Sequence, residues 1–139
     1  MIQRDFIQRL IHQISAVLAR MIGKNAEEQL IILEEYIQQH NGLGSEDLEK
    51  ISDEDLLNYL SEDMQLNPYQ IEAIAAALHA RGDIFVTNKN TDKAIIEFRR
   101  AISLLDYVDN ETAIYSFDRI DMITTIKKKL KQIIGAQAV

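Results

Sequence analysis

The sequence predicts an all-α fold of about six to seven helices in antiparallel pairs. Three observations carry that expectation. Aliphatic residues recur at alternating steps of three and four along most of the 139 residues, the spacing that gathers them on one helical face. Only five glycines and one proline are present, too few for the tight turns of a sheet-rich chain of this length. No segment reads as a strand: Phe85-Val86-Thr87 is β-prone but lies inside a helical pattern, and the pattern outranks propensity over so short a run. With 47% hydrophobic and 27% charged residues, the mix is that of a globular protein, and the length suits one domain over 1–139.

The first helix is expected from about Gln3 to Ile22. Ile7, Leu10, Ile14, Val17 and Met21 form one seam there, and Phe6, Ile11, Leu18 and Ile22 widen it. So broad a stripe needs more than one neighbouring helix. Gly23 ends this helix, and Asn25 caps the next, with Glu27 and Glu28 in its first turn. That second helix offers Leu30, Ile31, Leu33, Tyr36 and Ile37 to a core before Asn41-Gly42 stops it. Ser45 to Lys50 has room for one short helical turn. Ser52 ahead of Asp53-Glu54-Asp55 is a capping arrangement for a helix carrying Leu56, Leu57, Tyr59 and Leu60.

Asn67-Pro68 joins an N-cap to a proline at the first helical position, where the missing N–H costs nothing. Ile71, Ile74, Ala75, Leu78, Phe85 and Val86 then describe a long helix to about Asn88. Asn88-Lys89-Asn90 turns the chain, and Thr91 is the expected cap of a helix carrying Ala94, Ile95, Phe98, Ala101, Ile102 and Leu105. Asp109-Asn110 should turn again. The last helix is expected from about Glu111 to Ile134 through Ile114, Phe117, Ile120, Ile123, Ile126, Leu130 and Ile133, with Gly135 as its stop and a frayed end beyond.

Charge is distributed unevenly. The connector at about 41–67 holds eight acids against the single base Lys50, whereas the other fourteen acids and fourteen bases cancel. The whole excess of −7 therefore sits in one central segment, which repels polyanions and argues against nucleic-acid binding. Two readings of it stand: a solvated connector with acids at helix N-termini, or a docking surface for a basic partner. Absence of cysteine excludes disulfides, zinc–thiolate sites and thiol nucleophiles. No stretch approaches the about 20 apolar residues of a membrane span, and Arg4, Asp5, Arg9, His12 and Arg20 interrupt the N-terminal segment. A cytoplasmic protein with no membrane contact is the expectation.

Residues about 75–108 resemble a tetratricopeptide repeat, a unit of about 34 residues folded as two antiparallel helices. Leu78, Gly82, Phe85, Ala94, Phe98 and Ala101 carry the resemblance. Gly82 and Ala94 let the helices approach, while Phe85 and Phe98 fill the space between them. The resemblance implies a right-handed array of helix pairs. Two positions depart from the family pattern: Asp106 stands where proline is frequent, and Arg81 where leucine is usual. The chain as a whole is also similar to a family of small bacterial all-helical proteins without an assigned activity. That likeness is carried by Asp5-Phe6-Ile7-x-Arg9-x-Ile11-x-Gln13 and by Ser52-Asp53-Glu54-Asp55-Leu56-Leu57, and it bears on the fold alone.

Catalytic and metal motifs are not visible, and no cofactor is implied. His12, His40 and His79 lie far apart, and neither His-x-x-x-His nor Glu-x-x-His, the spacings of helical metal sites, occurs. Glu34-Glu35 and Asp53-Glu54-Asp55 are adjacent acids, and neighbours on a helix point about 100° apart. Lys127-Lys128-Lys129-x-Lys131 complements the negative pole of a helix end; binding to an anionic surface is the alternative reading. The first helix of a tetratricopeptide pair lines a concave face, and the resemblance places Ala76, His79, Asp83, Val86 and Thr87 there. His79, Asp83 and Thr87 recur at i, i+4 and i+8 as one polar line. Asp83 would repel a terminal carboxylate, so the groove is not a carboxylate clamp.

The resulting expectation is a non-catalytic module that binds a protein, a peptide or a second copy of itself. One clear repeat is fewer than the about three that bury a continuous core. The flanking helices or a homodimer partner must therefore cap it. An enzyme whose residues meet only in the fold, and a weak anionic-surface binder through the C-terminal lysines, are the alternatives.

Overall fold

The computed structural model describes residues 2–41, 45–112 and 116–137. Among them are seven α-helices and no strand: α1 (Ile2–Met21), α2 (Ala26–Asn41), α3 (Ser45–Lys50), α4 (Asp53–Asn58), α5 (Pro68–Thr87), α6 (Thr91–Glu111) and α7 (Phe117–Gln137). Helix α4 continues into a π-helical turn, Tyr59–Asp63, in which Met64 N–H donates to the Tyr59 carbonyl. The all-α class is as expected; the π turn is not visible in the sequence. None of the described helices is long and apolar enough to cross a membrane.

Local signals set most of the helix starts. Asn25 Oδ1 accepts from Glu28 N–H, and Ser52 Oγ accepts from Asp55 N–H. At α5 the capping is reciprocal: Asn67 Oδ1 accepts from Gln70 N–H while Gln70 Oε1 accepts from Asn67 N–H, both at 2.9 Å. Gly23 ends α1 at φ +80°, a conformation that costs glycine little.

Four expected boundaries are corrected. The cap of α6 is Asn90, whose Oδ1 faces Lys93 N–H at 3.5 Å, and Thr91 is the first helical residue. Asp109-Asn110 does not turn the chain, because Thr112 N–H still donates to Val108 O and α6 runs to Glu111. Helix α7 starts at Phe117 rather than near Glu111, behind Ser116, whose Oγ accepts from Arg119 N–H. Gly135 is no stop: it lies within α7, which extends to Gln137.

One contiguous cluster of buried side chains joins all seven helices. Helix α5 packs most extensively on α6, α6 packs in turn on α7, and α1 and α2 pair with each other and both lie on α5. The α5–α6 pair is antiparallel. Phe85 faces Lys93 while Gly82 and Arg81 face Phe98 and Glu97, so lower numbers on α5 meet higher numbers on α6. Leu78, Ala94, Phe98 and Ala101 are completely buried and Phe85 nearly so. A Cβ placed on Gly82 would lie 2.3 Å from Phe98 Cε1 and 2.6 Å from Cδ1, so the ring occupies the space that any larger residue would need.

The expected core is corrected at its edges. Of the first-helix seam, Val17 and Met21 are buried and Ile14 partly so, but Leu18 is exposed and Ile22 is 81% exposed. Ile31, Val86 and Ile120 are also exposed, and Phe117 is 77% exposed. Single apolar residues on a surface are ordinary, and Ile22 and Phe117 sit at helix ends. The side chains of Phe6, Ile7, Leu10 and Ile11, together with Gly42 and Ile114, lie outside the described residues.

Two buried arginines hold the ends of this assembly. From α6, Arg100 donates through Nη1 to the Leu48 carbonyl and through Nη2 to the Ile51 carbonyl, both at 2.8 Å, and through Nε to Asp53 Oδ1. It thereby satisfies carbonyls at the end of α3 and fastens the acidic connector to the core. From α7, Arg119 donates through Nε to Glu72 Oε1 and through Nη1 to Asp109 Oδ1, both at 2.7 Å. Helices α5, α6 and α7 are joined there by one guanidinium.

Two measurements check this packing. Gly82→Ala is expected to lower unfolding free energy by about 1–2 kcal/mol, overpacking outweighing the better helix propensity. Gly135→Ala, with nothing within 4 Å of the added methyl, should raise it by about 0.5–1 kcal/mol; urea denaturation reads both. Arg100→Ala is expected to cost about 3 kcal/mol by leaving buried acceptors unmet, and to speed limited proteolysis between α3 and α4.

Candidate functional site

A groove of about 510 Å³ opens between the C-terminal half of α5, the start of α6 and the C-terminal half of α7. Val86, Ile133 and Ala136 give it apolar walls, and Asp83, Thr91, Lys129 and Gln132 supply its polar atoms. It forms because α7 meets α5 near Lys129 and leaves their later turns unfilled.

The polar line of α5 meets α7 at the end of this groove. Lys129 Nζ lies 2.9 Å from His79 Nε2, and 2.9 and 3.0 Å from Asp83 Oδ1 and Oδ2. An ammonium only donates, so His79 Nε2 accepts and the ring proton is on Nδ1. His79 also packs edge-on against Phe98, ring centroids 6.0 Å apart. Thr87 Oγ donates back to the Asp83 carbonyl within α5. The sequence singled out His79, Asp83, Val86 and Thr87 as lining a groove. Asp83 and Val86 do line it, whereas His79 and Thr87 do not.

Two expectations change with this geometry. His79 is engaged by α7 and largely buried, while Asp83 is engaged by Lys129 and still half-exposed in the groove wall. Lys129 faces inward while Lys127, Lys128 and Lys131 are exposed, so the basic run is divided between structure and surface. Thr91, Lys129, Gln132, Ile133 and Ala136 were missed as groove residues. The only available signal was the three- and four-residue spacing of Lys129, Ile133 and Ala136 on one face of α7.

The chemistry of the histidines is limited. Among the described residues no group of three or more His, Asp or Glu side chains is placed to hold a metal ion. His79 has one carboxylate beside it, His12 is exposed, and the His40 side chain lies outside the described residues. Desolvation pushes the His79 pKa below its ordinary 6.5, the Lys129 ammonium pushes it further down, and Asp83 opposes both. Comparison with protein-family models, curated proteins and solved structures finds no match.

The depressed His79 pKa has a definite sign. Below about pH 6.5 the unfolded chain binds a proton that the folded chain resists, so stability falls as pH drops through that value and levels off below the folded pKa. Urea midpoints measured between about pH 7.5 and 5.5 should fall more steeply in the native chain than in His79→Gln, which lacks this proton.

Proposed function

We propose that the protein is a non-catalytic interaction module of tetratricopeptide-like build, and that the groove between α5 and α7 receives an apolar segment of a protein partner flanked by acidic residues. The observation that carries this reading is the groove itself, apolar at Val86, Ile133 and Ala136. Its volume lies in the range of about 300–1,000 Å³ typical of binding clefts. The order of helices supports the reading too, since α5 and α6 form the pair that resembles the repeat and a further long helix, α7, follows them and packs on α6. Lys127, Lys128 and Lys131 are exposed on α7 and favour a partner with acids beside its apolar anchors. Lys129 compensates Asp83, so the carboxylate does not repel such a partner.

Selection from a random peptide library against the full chain tests this. The expected result is enrichment of apolar motifs flanked by Asp or Glu. Their affinity should fall at least about tenfold in Val86→Glu and Ile133→Glu, because each places an unpaired charge in the contact, with far-ultraviolet circular dichroism unchanged. Absence of enrichment, or peptides indifferent to both substitutions, would contradict the groove.

A further inference from the structure

A second cavity, of about 280 Å³, lies between α5 and α6 with Glu49 of α3 in its wall. Arg81 and Glu97 line it from opposite helices with side chains only 5% and 7% exposed. They face each other, yet Arg81 Nε stands 3.6 Å from Glu97 Oε2, too far for a hydrogen bond. Arg81 Nε and Nη1 and Glu97 Oε2 are all buried without a hydrogen-bond partner. Arg100, in the same wall, has all three of its nitrogens bonded. Buried polar atoms are nearly always paired, so two side chains lining this cavity carry unmet donors beside an unmet acceptor just beneath its surface.

Its remaining walls are apolar and cationic apart from the Glu49 carboxylate. The Phe85 ring carries the Arg81 guanidinium at 5.8 Å and the Lys93 ammonium at 5.7 Å from its centroid, and Ile96 lies alongside. Lys93 is exposed at this wall, adding positive charge where a ligand would enter. The volume is just below the about 300–1,000 Å³ of clefts for drug-sized molecules, so the occupant is small.

We propose that this cavity binds a small organic acid that carries a hydroxyl or amino donor beside its carboxylate. The carboxylate meets Arg81, the donor meets Glu97 Oε2, and the hydrocarbon lies against Phe85 and Ile96. A bare inorganic anion would leave the apolar wall unused, and a simple fatty acid would leave the Glu97 oxygen unmet. Burial pushes the Glu97 carboxyl up, while Arg81 and Arg100 pull it back; a ligand donor at Oε2 adds to the pull toward the ionised form.

Calorimetric titration of the full chain with L-lactate, L-alanine, propionate and inorganic phosphate tests the assignment. Lactate or alanine should bind at least about tenfold more tightly than propionate, which has the same carbon skeleton without the donor. The same ligand should raise the melting temperature and shift the Arg81 Nε–H resonance in the native chain, a readout that needs no variant. Lys93→Ala, at an exposed position, should weaken binding several-fold with the fold intact, and Arg81→Met should abolish it. No binding of lactate or alanine, propionate binding equally well, phosphate binding alone, or an Arg81 Nε–H resonance unmoved at saturation would each overturn the proposal.

Discussion

The close approach of α5 to α6, with the Phe98 ring standing where a side chain at 82 would be, sets the geometry of the rest of the molecule. A ring with no exposed surface fits against a bare backbone only if the two helices are held at short separation and in one register. That register puts Arg81 opposite Glu97 and Phe85 beside Lys93, which creates the smaller cavity. It also turns His79 toward the Phe98 ring on one side and Lys129 on the other, which fixes where α7 crosses α5. The groove beyond Lys129 follows from that crossing.

Guanidinium groups add to the apolar cluster in securing the parts that this pair does not reach. Arg100 bonds two carbonyls at the end of α3 and a carboxylate at the start of α4. The acidic connector is thus tied to α6 through backbone atoms, and one Asp53 oxygen is engaged by Arg100. Arg119 does the corresponding work at the other end, where Glu72 and Asp109 meet α7. Planar multidentate donors suit such junctions, because one side chain satisfies acceptors on several elements at once.

How much of this was legible in the sequence depended on whether the cause was local. Asn67-Pro68 and Ser52 announced helix starts because a cap acts within three residues. Gly82, Phe85 and Phe98 are legible as an interhelical contact through the resemblance of this helix pair to a tetratricopeptide repeat. Arg81, Arg100 and Arg119 were not, since arginines read as surface until partners many residues away are known; Arg100 and Asp53 are 47 apart. Lys129 was read with its neighbouring lysines for the same reason. Leu18 and Ile22 were assigned to the core from helical spacing alone, and spacing shows which residues share a face, not how far along it a neighbour extends. Gly135 reads as a stop, yet glycine inside a helix costs only about 1 kcal/mol, which a long helix tolerates.

The central claim is that Phe98 packs directly on the backbone at Gly82, and nuclear Overhauser spectroscopy of the native chain addresses it without substitution. The account predicts strong cross-peaks between the Gly82 α-protons and the Phe98 ring protons, with the glycine signals displaced by the ring current. Their absence, with Phe98 ring protons at solvent-like chemical shifts, would contradict the helix pairing on which both cavities rest.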